Sequence, residues 1–152
     1  MDISKKRFFA EGPCVKKILA DPLRSLISKR LFYYVGYRKF MEITLSLIGD
    51  IPVFQLNGRL DMTSSPLLEE RLKPLLKEPG QKLIFDCAGL AYISSAGLRV
   101  FLSSMRHLSA QGGGVGFARL SVPVGDLFRL AGLEDLFLIT PTVEEAAARL
   151  QS

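Results

Sequence analysis

From Met41 onward the apolar and polar positions fall into short, punctuated segments. Ile43, Leu45 and Leu47 alternate with polar residues, the signature of a half-buried strand. Gly49-Asp50 marks a turn, and Val53-Phe54-Gln55-Leu56 forms a second strand. Pro52 at its start suits an edge or strand-entry position, because proline has no N–H to give a ladder. Gly58-Arg59-Leu60-Asp61 ends that strand. Ser65-Pro66 predicts a helix start, with the serine as N-cap and proline at the first helical position. Leu68, Leu72, Leu75 and Leu76 line one face of this helix, Pro74 should kink or shorten it, and Pro79-Gly80 closes it.

Lys82 to Asp86 predicts a third strand. The following helix opens at Ser94-Ser95 and carries Leu98, Phe101, Leu102, Met105 and Leu108 on one apolar face. Gly112-Gly113-Gly114 ends it, and Val115 to Leu120 is a fourth strand. Ser121-Val122-Pro123 starts a short helix holding Leu127, Phe128 and Leu130, which Gly132 stops. Leu136 to Ile139 is a fifth strand, and Thr142 with Glu145 is a capping box for a last helix, Val143 to Leu150. The order β-β-α-β-α-β-α-β-α predicts an α/β sandwich, a mixed five-strand sheet with about four helices packed on it.

Composition divides the chain. Residues 1–40 hold ten Lys/Arg against three Asp/Glu, a charge of +7, whereas residues 41–152 hold ten against twelve, a charge of −2. The folded part is therefore mildly acidic, and a nucleic-acid surface on it is not expected. In the first 40 residues, basic pairs alternate with apolar and aromatic runs such as Phe8-Phe9 and Leu31-Phe32-Tyr33-Tyr34. Residues 15–34 could form a basic amphipathic helix, interrupted at Pro22, that docks on a membrane surface or a partner. A disordered extension is a second reading. A third is that the natural start is Met41-Glu42-Ile43. The expected domains are thus 1–40, a basic extension, and 41–152, one α/β domain. No apolar run is long enough to span a bilayer, and no signal peptide is evident. The distant Cys14 and Cys87 suggest reduced thiols, so the expected location is the cytoplasm.

The most telling stretch is Tyr92-Ile93-Ser94-Ser95-Ala96-Gly97-Leu98-Arg99. It presents two hydroxyls where a strand turns into a helix. A hydroxyl there can cap the helix, attack a substrate or accept a phosphate, and capping alone needs only one of the two. Nucleophilic catalysis lacks a base. His107 is the sole histidine, twelve residues along the same helix, roughly 18 Å at 1.5 Å per residue. No lysine lies near Ser95 in sequence, and the context is not a G-x-S-x-G elbow. Metal-ligand clusters are absent, so no metal is expected. Gly112-Gly113-Gly114 follows a helix rather than a strand, which is wrong for a phosphate loop.

Over residues 41–152 the landmarks resemble the STAS domain, and within it the bacterial anti-sigma factor antagonists. They are Gly58-Arg59-Leu60-Asp61, Leu83-Ile84-Phe85-Asp86, Tyr92 to Leu98, and a tail of Pro123-Val124, Leu127, Leu130-Ala131-Gly132-Leu133 and Phe137. The resemblance implies a STAS-type sandwich. The family often carries Asp-Ser-Ser-Gly-Leu at this helix start, with the first serine as phosphate acceptor. Alignment on Gly97-Leu98 puts Ser94 at the Asp position, Ser95 at the acceptor and Ala96 at the second serine. The resemblance thus implies phosphorylation of Ser95, with Ser94 as the second candidate, and a partner surface of Asp61, Ser94, Ser95, Ala96, Gly97, Leu98 and Arg99.

The same resemblance implies a protein that is not itself an enzyme and has no cofactor. Its expected partners are an anti-sigma factor that is also a serine kinase of the histidine-kinase-like ATPase type, and a serine phosphatase. Membrane contact is expected only through residues 1–40. The alternative is a STAS accessory subunit of a lipid-transporting ABC system, bound to its ATPase.

Overall fold

The computed structural model describes residues 31–35 and 38–152, with side chains from Met41 onward. The chain alternates strands and helices: β1 (Leu31–Val35), β2 (Arg38–Ile48), β3 (Ile51–Leu60), α1 (Ser65–Leu76), β4 (Lys82–Ile93), α2 (Ser95–Ala110), β5 (Gly114–Ala118), α3 (Val122–Leu130), β6 (Leu138–Thr140) and α4 (Val143–Gln151). The five expected strands and four helices form in the expected order, and β1 precedes them as a sixth strand. The strands lie side by side in chain order. β1–β2 and β2–β3 are antiparallel, while β3–β4, β4–β5 and β5–β6 are parallel.

β1 corrects one expectation. Residues 31–34, read as the end of an amphipathic helix, are strand, because their run of aromatic and aliphatic residues pairs with β2 from Leu31↔Ile43 to Val35↔Arg38. The earlier part of that helix reading, residues 15–30, lies outside the described residues.

The sheet buries apolar residues on both faces. On one, Phe54, Phe85, Phe101, Phe117, Phe128 and Phe137 pack with the leucines of α1 and the apolar side of α2 and α3. Ring centroids lie 4.7 Å apart for Phe85–Phe101, 4.9 Å for Phe101–Phe117 and 4.5 Å for Phe117–Phe137. Such aromatic pairs add about 0.5–1.5 kcal/mol each beyond area burial. On the other face α4 lays Ala146 and Ala147 over Ile51, Val53, Ile84 and Ala118. Helices α1, α2 and α3 thus share one side of the sheet.

Two boundaries shift in ways that matter to the site. The N-cap position of α1 is Ser64 rather than Ser65, which is its first helical residue. β4 runs to Ile93 rather than stopping at Asp86, because β3 continues beside it to Leu60. The glycine triad ends α2. Gly112, at φ +81°, takes the left-handed conformation, and the Gly113 and Gly112 amides donate to the Leu108 and Ser109 carbonyls, at 2.8 and 3.2 Å.

Candidate functional site

The parallel strands β3 and β4 end together, with Arg59 opposite Tyr92 and Leu60 opposite Ile93. The chain leaves β4 with the Ser94 amide donating to the Leu60 carbonyl at 2.9 Å, so α2 starts directly from the sheet edge. Ser94 is the N-cap. Its backbone is extended (φ −93°, ψ 175°), and its hydroxyl accepts from the Gly97 amide at 3.3 Å. Ser95 is the first helical residue, and its side chain points to solvent. Its hydroxyl makes no hydrogen bond among the described residues. The two adjacent serines therefore divide the work: one satisfies the helix end and the other is free.

Gly97 explains how the helix approaches so closely. A Cβ there would stand 2.8 Å from both Ile93 Cγ1 and Leu60 Cγ, so a side chain would push α2 off the strand ends. Leu98 is half-buried against the main core, Ala96 is half-buried, and Arg99 is exposed one turn after Ser95.

Asp61 has a structural job at the neighbouring strand end. Its carboxylate Oδ1 accepts from the Thr63 amide at 2.9 Å and the Ser64 amide at 3.1 Å. Its Oδ2 lies 4.0 Å from Arg59 Nε. The Arg59 guanidinium in turn sits 4.0 Å from the centroid of the Tyr92 ring, a cation–π stack on the rim of the site. The carboxylate fixes the loop into α1 and holds one side of Arg59.

Two contiguous depressions meet at Ser95. One, about 460 Å³, is apolar and runs between the end of β4 and α3, lined chiefly by Tyr92, Ile93, Pro123, Val124 and Leu127. The other, about 560 Å³, follows the exposed side of α2 past Arg99, Ser103, Arg106 and His107. Ser95 and Leu98 line both. Neither is lined by a carboxylate. His107 lies in the last turn of α2, 3.0 Å from the Gln111 side-chain nitrogen, and so belongs to the far end of the second groove. Among the described residues no carboxylate or lysine lines either depression beside the Ser95 hydroxyl.

The other titratable groups of interest lie away from Ser95. Asp86 is buried and held by Arg119 through a two-pronged ion pair, one arm at 2.9 Å. That hydrogen bond pushes the Arg119 guanidinium above its usual range. Cys87 is a buried free thiol, pushed well up by burial and by the neighbouring Asp86 charge. It is held as a neutral thiol and packs as a small apolar group. Among the described residues no group of ligating side chains could hold a metal ion, and no helix is long and apolar enough to cross a membrane.

The structure brings Asp61, Ser94, Ser95, Gly97, Leu98 and Arg99 to the C-terminal ends of β3 and β4, with Ala96 in the first turn of α2 between them. Sequence reasoning gave no role to Tyr92, Pro123 or Leu127, which build the apolar depression. Tyr92 carried a local signal, an aromatic residue at a strand end beside an arginine-bearing strand. The α3 residues stood in the sequence only as landmarks of the family resemblance, since only tertiary packing sets them beside Ser95.

Comparison with known proteins agrees with this geometry. The STAS domain model matches residues 42–146. The anti-sigma-B factor antagonist of Bacillus subtilis is 35% identical over 96 residues, covering 63% of this chain and 86% of the relative. That of Staphylococcus epidermidis is 29% identical over 90 residues, covering 59% and 83%. Among solved structures, the anti-sigma factor antagonist SpoIIAA in its unphosphorylated form superposes with a TM-score of 0.62 at 23% identity, covering 72% of this chain and 96% of that one. The Bacillus cell fate determinant SpoIIAA has also been solved in its phosphorylated form, with a TM-score of 0.57 at 23% identity over 70% of this chain and 97% of that one. The chain belongs to the STAS domain family.

Proposed function

We propose that this protein is an anti-sigma factor antagonist that works by partner switching, with Ser95 as its phosphorylated residue. Unphosphorylated, it binds an anti-sigma factor that is also a serine kinase of the histidine-kinase-like ATPase type. Phosphorylation releases it, and a serine phosphatase restores it. The relatives named anti-sigma-B factor antagonist support the first half of this reading. The observation that carries the second half is the division of labour at α2: Ser94 caps the helix, which leaves the exposed Ser95 hydroxyl unengaged.

The chemistry is phosphoryl transfer onto Ser95. The Oγ–P bond forms as the bond between the γ-phosphorus of the kinase's ATP and the bridging oxygen breaks. ADP leaves, and the hydroxyl proton passes to a base on the kinase. In this reading the protein is a substrate and brings no catalytic group or cofactor of its own. A phosphoserine adds a charge of about −1.5 to −2. At a helix N-terminus that charge is favoured by about 0.3–1 kcal/mol, so α2 persists. The first turn of α2 holds no acidic residue that would oppose it. The added charge acts instead on whatever docks there. The ABC-subunit alternative is not favoured, since both relatives bear the antagonist's name.

The test is affinity capture from native lysate with the wild type and Ser95→Glu, with partners identified by mass spectrometry. A histidine-kinase-like ATPase held by the wild type and lost with Ser95→Glu is the expected result. An ABC ATPase held equally by both would overturn the proposal.

A further inference from the structure

The two depressions that meet at Ser95 differ in character. The one beside α3 is walled by Tyr92, Ile93, Pro123, Val124 and Leu127. Two further large apolar residues are exposed, Met62 in the loop between β3 and α1 at 79%, and Val122 at the start of α3, next to Pro123, at 76%. The groove along α2 is different: every charged side chain lining it is an arginine, Arg99 and Arg106. No Asp or Glu occurs anywhere in α2, although residues 41–152 carry a net charge of −2. Neither arginine makes an ion pair among the described residues, whereas Arg119, Arg129 and Arg149 all do. A single-signed stripe on a domain of opposite net charge is a surface waiting for carboxylates.

From this we infer that the partner's docking element is an acidic segment with an apolar anchor. The anchor seats between Tyr92 and Leu127, and its carboxylates lie along α2 against Arg99 and Arg106. Arg59, braced on Tyr92 and only loosely held by Asp61, closes the near end of the same surface. Exposed arginines and tyrosines are the residue types that most often carry binding energy once covered.

The inference rests on the partner-switching reading and gives it a physical basis. Ser95 and Arg99 are neighbours one turn apart on the helix surface. A phosphoryl group on Ser95 therefore places a dianion at the junction of the two depressions. It pairs with Arg99 from within the chain and repels the carboxylates that would otherwise occupy that position. Phosphorylation thus works as an internal competitor for the cation, as well as a steric block.

The experiment uses the full chain and the purified kinase recovered by the wild type, with affinity measured at low and high salt. Arg99→Glu and Arg106→Glu should each weaken binding by about tenfold or more, and the wild-type affinity should fall steeply with salt. Arg149→Glu, which alters the net charge equally but lies on α4 across the sheet, should stay within about twofold. All three positions are exposed, and circular dichroism checks that each variant folds. Arg99→Glu and Arg106→Glu binding as tightly as Arg149→Glu would overturn the acidic-partner inference while leaving the switch intact. Ser95→Glu binding as tightly as the wild type would sink the switch itself, and this inference with it.

Discussion

The chain enters two helices from two adjacent parallel strands, and each time it does so through a pair of serines. At α1 both serines are buried, Ser64 fully and Ser65 to 4% exposure. Their hydroxyls are spent on the protein's own backbone. Ser64 Oγ donates to the Arg59 carbonyl at 2.7 Å and accepts from the Asp61 amide at 3.0 Å, while Ser65 Oγ donates to the Asp61 carbonyl at 2.6 Å. At α2 only Ser94 is engaged, and Ser95 faces water. The same dipeptide at the same end of the sheet is buried scaffold in one place and presents an exposed hydroxyl in the other. The difference is the acidic residue that precedes it. Asp61 ties the first loop inward with its carboxylate, and no such group precedes Ser94.

This contrast can be broken by removing hydroxyls one at a time. Ser64→Ala removes a buried hydroxyl that makes two part-buried hydrogen bonds, to the Arg59 carbonyl and from the Asp61 amide, and should cost about 1–2 kcal/mol of stability, read as a lower urea midpoint. Ser94→Ala removes an N-cap bond and should cost about 1 kcal/mol, yet the variant should remain a substrate of the kinase. Ser95→Ala should change stability by no more than about 0.5 kcal/mol and abolish phosphoryl uptake. Denaturation curves paired with phosphopeptide mapping check all three. Phosphate found on Ser94 in the Ser95→Ala protein would reverse the assignment.

Much of this was legible in the sequence because it is local. The apolar face of α2, the Thr142 cap of α4 and the glycine stop after Gln111 are each written within a few residues. So was the serine pair. Which serine caps was not legible, since both sit beside the same helix. The choice is made by β4, which runs on to Ile93 beside β3 and delivers Ser94 in an extended conformation. β1 was hidden for a similar reason: Leu31-Phe32-Tyr33-Tyr34 suits a helix face or a strand, and pairing with β2 decides it. The apolar depression was hidden because Pro123 and Leu127 are brought to Tyr92 by the packing of α3 on the sheet.

The chain-order sheet has a consequence for how the molecule is made. Every strand pairs with the one synthesised just before it, so no early strand has to wait for a late one to complete its ladder. During translation the antiparallel β1–β2 pair can form first, β3 can add to it, and each later strand can then add to a finished edge. The edge that carries Ser95 is complete once β4 and α2 have emerged, before α3, β6 and α4 exist. What those last elements contribute is the wall of the apolar depression and the cover on the opposite face. Premature termination near Gln111 would therefore yield the corner that carries Ser95 without the wall that α3 gives the apolar depression.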